Sequence, residues 1–169
     1  EVECPVPTPE TPNLPVLPIE ITEVLPNPKG ADEGNEFIEL YNPNDEAVDM
    51  SQWRVYVNGN YDTAYAFAPG TTIQAREYLV VKQNVVKFTL KNSVGSVRLE
   101  SPGGVHVVDV PTWNNAKDDM AWALIDGVWQ YAEPSPGEEN SAQQDGVVKA
   151  TTGADCGEGR ERNPLTGRC

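Results

Sequence analysis

The chain is predicted to be an all-β sandwich or barrel, on three observations. Short apolar runs alternate with a period of two along most of its length. Clusters of Pro, Gly, Asn and Asp separate those runs at strand-like spacing. No segment carries an amphipathic helical period of any length. Nothing repeats at a fixed interval, which disfavours a propeller or solenoid.

IEITEVL at 19–25 alternates, with Ile19, Ile21 and Leu25 expected on one face. The loop PNPKGADEGN leads into EFIELY at 36–41, and Asn42-Pro43 closes that run because Pro lacks a backbone donor. WRVYV at 53–57 points Trp53, Val55 and Val57 inward, and Asn58-Gly59 begins a turn. Met50 and Trp53 are expected to cap the core after the 42–45 turn. Further strands fit 61–68, 77–82, 85–91 and 96–101, and Pro102-Gly103-Gly104 turns into 105–110. Last, 120–125 and 128–132 flank Asp126-Gly127, the strongest short hairpin signal in the chain.

Composition divides the 169 residues further. Residues 1–18, rich in Pro, read as a stiff polyproline II spacer. The β domain runs over 19–140, a polar linker over 141–155, and a Cys-bounded tail over 156–169. Both flanks, Pro-rich at the N-terminus and polar at the C-terminus, read as disordered. The three cysteines, Cys4, Cys156 and Cys169, all lie in these flanks. Cys156 and Cys169 would close a short loop as a disulfide, which suggests an oxidising compartment, and Cys4 is left over. A start at Glu1 rather than Met reads as a processed or trimmed chain. No apolar stretch approaches the length of a membrane span. With 26 acidic against 12 basic side chains, the net charge is −14, which repels phosphate backbones at long range.

Glu36 and Glu39 raise the question of catalysis. A glycosidase carboxylate pair flanks one bond at roughly 5 to 9.5 Å. Alternation puts Glu36 with Ile38 and Leu40, and Glu39 with Phe37 and Tyr41, so the two point to opposite sides of a sheet. They read as framework or solvated charges. His106, the single histidine, and Asp109 likewise fall on opposite faces, which leaves a local Ser-His-Asp arrangement unsupported and His106 an outward or edge residue. Gly103-Gly104 joins strands and opens no helix, so it is no phosphate cradle. No catalytic residue is assigned.

IEITEVLPNPKG at 19–30, NEFIELYNPNDEAVDMSQW at 35–53, VRLESPGGVHVVDV at 97–110 and DGVWQYAEPSPGEEN at 126–140 occur in an order that resembles the lamin-tail domain family. These domains occur in nuclear lamins and in many secreted bacterial proteins. The resemblance implies an immunoglobulin-like β-sandwich whose recurrent residues are fold markers. The tail, CGEGRERNPLTGRC, is similar to a Cys-flanked motif ending some surface proteins of reduced-genome, candidate-phyla-type bacteria.

Three groups of residues are candidates for binding. Asp32, Glu33, Asn35 and Glu36 bring hard oxygen donors together in one loop, suited to calcium, the one cofactor the sequence suggests. Trp113, in an expected end loop with Asn114-Asn115, and the tyrosines Tyr61 and Tyr65 are candidates for a protein interface or a coplanar sugar platform. Lys82, Lys87, Lys91 and Arg98 are the candidate nucleic-acid contacts, set in a β domain with 8 basic and 19 acidic residues. The leading expectation is a non-catalytic interaction or structural module of an exported or cell-surface protein, binding another protein or a cell-surface ligand. A nucleic-acid-binding accessory domain and a carbohydrate-binding module are the alternatives.

Overall fold

The computed structural model describes residues 16–142 and is nearly all β. In chain order the elements are β1 (Glu20–Leu25), β2 (Phe37–Tyr41), β3 (Val48–Asp49), β4 (Arg54–Val57), β5 (Asn60–Ala66), β6 (Thr72–Ile73) and β7 (Tyr78–Lys82). A one-turn helix α1 (Gln83–Val86) follows, then β8 (Val94–Gly95), β9 (Val97–Glu100), β10 (Val107–Asp109), β11 (Trp113–Asn114), β12 (Ala121–Ile125) and β13 (Val128–Ala132). Two antiparallel sheets form the sandwich, in the orders β13-β12-β1-β2-β7 and β10-β9-β4-β5, with the short pairs β3-β6 and β8-β11 at their margins.

The core lies between the sheets and follows the alternation read from the sequence. Ile21, Val24, Ile38 and Leu40 face Trp53, Val55, Val57, Val97 and Leu99. Met50 and Trp53 are buried as expected. Asp126-Gly127 makes a two-residue hairpin, Ile125 opposite Val128, with positive φ at both turn residues as a type I′ turn requires. Among the described residues, no helix is long and apolar enough to cross a membrane.

Two strand expectations are corrected. A bulge in β1 between Ile21 and Glu23 reverses the faces of the strand residues beyond it, so Leu25 does not share the core face with Ile21. Val24 takes that place, while Glu23 and Leu25 turn to the outer face of the five-stranded sheet, opposite Glu39 and Phe37. The 85–91 run is not a strand: α1 covers its start, and Lys87 caps the turn in the left-handed region with φ 61°. Phe88 and Leu90 are still buried, so alternation survives where ladder pairing does not.

The Asn42–Asn44 turn owes its shape to one side chain. Asn42 is fully buried, and its Nδ2 donates to the carbonyls of Glu46 (2.8 Å), Ile73 (3.1 Å) and Gln74 (2.9 Å). Its Oδ1 accepts from the Asn44 backbone N (3.0 Å) and Asn44 Nδ2 (2.7 Å). Asn42→Ala strips buried groups of their partners and is expected to cost about 3 kcal/mol in chemical denaturation. A cost below about 1 kcal/mol would mean that water replaces the amide there.

Candidate functional site

The glutamates singled out by the sequence are fully buried, as is a third, Glu23. Glu39 lies beside Glu23 across the β1–β2 ladder, on the sheet face turned away from the core. Residues 133–140 fold back over that face as a strap. The Ser135 backbone N donates to Glu23 Oε1 (3.0 Å) and Oε2 (3.3 Å), and Gly137 N donates to Glu39 Oε2 (2.6 Å). Thr22 Oγ1 donates to Glu39 Oε1 (2.8 Å), and Asn140 Nδ2 ties the strap to the carbonyls of Thr22 (2.9 Å) and Leu124 (3.4 Å). Burial pushes Glu23 up to about 7 against the donated Ser135 bond, with the neighbouring Glu39 adding to the rise. Burial raises Glu39 too, opposed by its bonds from Gly137 and Thr22.

Glu36 sits just before β2 and serves the other side. Its Oε2 accepts from Leu90 N (3.0 Å), while Oε1 is buried with no hydrogen-bond partner. Burial raises its pKa to about 7, opposed by the Leu90 bond, and Asp32 adds a smaller upward push. The three carboxylates brace a strap and a loop. The framework reading of Glu36 and Glu39 therefore holds, but as buried braces and not as solvated charges. The sequence missed Glu23 because the β1 bulge decides its face.

The acidic loop does not assemble the four oxygen donors. Glu36 turns into the protein toward Leu90, Asn35 Nδ2 donates to Ala31 O (2.8 Å), and Glu33 is exposed. Asp32 Oδ2 accepts from Asn92 Nδ2 (3.0 Å) instead. Among the described residues no group of three or more His, Cys, Asp or Glu side chains is placed to hold a metal ion.

Trp113 is the clearest correction. It is not an exposed loop residue but the largest fully buried side chain, 1% exposed, with Nε1 donating to Lys91 O (2.9 Å). It pairs with Gly95 across β8–β11, and a Cβ at Gly95 would come within 2.1 Å of the indole. Tyr61 and Tyr65 form no coplanar pair either. An irregularity in the β4–β5 register separates them: Tyr65 turns toward core Phe88 (6.3 Å between ring centroids), and Tyr61, 54% exposed, lies by Tyr56. His106 is half-buried, not outward, its ring 5.7 Å from Trp53 and its Nε2 2.9 Å from Ile19 O.

The candidate basic residues come from different elements. Arg98 stacks over Tyr61 (4.5 Å) and grips Asp109 with two bonds of 2.6 and 2.8 Å. It belongs to the four-stranded sheet, whereas Lys82 ends β7 and Lys87 and Lys91 follow α1. Cys156 and Cys169, with the rest of the tail, lie outside the described residues.

One hollow was not anticipated. An apolar cleft of about 400 Å³ is lined by Val16, Leu17, Ala47, Val48, Trp53 and Pro102, with Glu46 and Asp49 also in its wall. A second depression shares Leu17 and Glu46 and runs past Asp45 and Arg76, which are ion-paired at 2.8 Å. The lining comes from three separated segments of chain, so no local motif marks it. EAVDM at 46–50, with its exposed acids beside an apolar pair, was the nearest available signal.

Two packed antiparallel sheets, with their marker residues spent on turns, straps and core, define an immunoglobulin-like β-sandwich. The Lamin Tail Domain family matches residues 15–146, and the chain belongs to that family, a group of immunoglobulin-like, non-enzymatic domains. No curated protein and no solved structure gives a significant match.

Proposed function

We propose that this domain is a non-catalytic protein-binding module of an exported or cell-surface protein. Its partner presents an apolar side chain flanked by Lys or Arg. The observation that carries the reading is the cleft at Val48 and Trp53: its floor is apolar, and the charged residues in its wall, Glu46 and Asp49, are both acidic. The net charge of −14 reinforces the same preference at long range and works against a phosphate backbone. The cysteines confined to polar flanks and the Pro-rich spacer support the exported setting.

The test is fluorescence-anisotropy titration of the chain with two labelled peptides, one leucine-centred and lysine-flanked, the other identical but glutamate-flanked, at two salt concentrations. The lysine peptide is expected to bind, more weakly at high salt, and Glu46→Lys is expected to weaken it at least several-fold. Equal affinity for both peptides, or indifference to Glu46→Lys, overturns the reading. Salt-sensitive binding of DNA oligonucleotides with no peptide binding would replace it by a nucleic-acid role.

A further inference from the structure

We propose that Glu23, Glu39 and the 133–140 strap form a pH-sensitive latch, closed in acid and released as the pair of carboxylates ionises. The inference rests on geometry that the binding cleft does not use. Glu23 and Glu39 are cross-strand neighbours, both fully buried on the outer face of the five-stranded sheet. Each holds one backbone N–H of the strap, from Ser135 and Gly137, two residues apart. Asn140 closes the far end on Thr22 and Leu124. Beneath lie two apolar groups, Leu25 and Phe37 with Ala121, and Ala123 and Ile125 with Ala132.

Two adjacent negative charges without water repel each other and lack solvation. The charged groups around them do not relieve this. Tyr78, Glu20, Tyr41 and Glu139 are among the titratable groups on this side, all anionic when ionised, and strap residues Glu133 and Glu138 add further acids. Of the bases nearby, Lys82 stands opposite Phe37 at the end of β7 and is exposed, and Arg76, hydrogen-bonded to Tyr41 at the other end of β2, is ion-paired with Asp45 at 2.8 Å. The cheapest way to hydrate the pair is to lift the strap, because the strap is held by a few bonds while the sheet is held by a full ladder. Burial pushes Glu23 up to about 7 and raises Glu39 as well, which sets the pH range for the release of the latch by Glu23. Opening would uncover the apolar outer face and free the chain that continues into the tail.

Amide hydrogen exchange by NMR, on the whole chain from pH 6 to pH 8, tests this. Protection of Ser135 N–H and Gly137 N–H, relative to intrinsic exchange, is expected to fall about tenfold or more, while Val55 and Leu99 in the core hold theirs. Glu39→Gln keeps an acceptor for Gly137 and removes the charge, so its strap is expected to stay protected at pH 8. Glu23→Gln gives the same reading if Glu39→Gln does not fold. Constant strap protection overturns the proposal. So does protection that rises with pH, since charged carboxylates would then grip the N–H groups harder, and so does a fall shared equally by Val55 and Leu99.

Discussion

Trp113→Ala is expected to lose about 3–5 kcal/mol of stability, the range for removing a large aromatic ring from a packed core. In a domain of this size that lowers the melting temperature by roughly 10–20 °C. Two terms add: the cavity left by the indole, and the unmet Lys91 carbonyl that Nε1 now satisfies at 2.9 Å. The reverse experiment is Gly95→Ala, whose methyl would overlap the indole at 2.1 Å and forces Trp113 to move. The double variant Gly95→Ala with Trp113→Ala should be less damaged than the two losses summed, because the new methyl then meets space instead of a ring. Thermal melts of the three variants decide this. Simple additivity would show that the two residues do not share one packing site. An unchanged melting temperature in Trp113→Ala would restore it to the surface.

Stability is expected to increase as pH falls from 8 to 5, by on the order of 2–4 kcal/mol. The sign follows from the three buried glutamates. Glu23 and Glu36 have folded pKa values of about 7 against an ordinary 4.5, and Glu39 is raised as well. Between those two values the native state holds protons that the unfolded chain has released. Protonation therefore favours folding, and the advantage is lost as pH rises through about 7. Groups shifted the other way, such as the exposed Asp49 bonded to Ser51, act only at lower pH, below this window. Glu36→Gln separates the buried carboxyl from general charge repulsion. Glutamine still accepts from Leu90, carries no charge, and places a donor where Oε1 lacked a partner. The variant is expected to exceed the wild type at pH 8 and to show a flatter profile. Urea denaturation at pH 5, 6, 7 and 8 measures both. A wild-type profile that is flat, or that falls toward pH 5, would falsify the assignment of protons to these glutamates.

The core was readable wherever a strand ran without interruption. Trp53, Val55 and Val57 alternate in the sequence and alternate in the protein, and Asp126-Gly127 forced its turn with two residues. Reading failed at irregularities. One extra residue in β1 reversed Glu23 and Leu25, and the β4–β5 irregularity sent Tyr61 and Tyr65 to different surroundings. A bulge leaves little mark in composition, yet it inverts every side chain beyond it. The four oxygen donors of the acidic loop diverge for a related reason. Nearness in sequence put Asp32, Glu33, Asn35 and Glu36 together, but the partner of Glu36 was Leu90, 54 residues away.

The β class, most strand positions, the hairpin, the acidic balance and the ordered motifs of the family were all legible in the order of the residues. These depend on side-chain period and turn chemistry, which act between near neighbours. The tertiary structure alone decided that Trp113 is core, that Glu23 and Glu39 are latched to a strap 98 to 112 residues away, and that Val48 and Trp53 floor a cleft. Burial and partnership at those positions are set by which distant segment packs over them, and a local pattern holds no information about that.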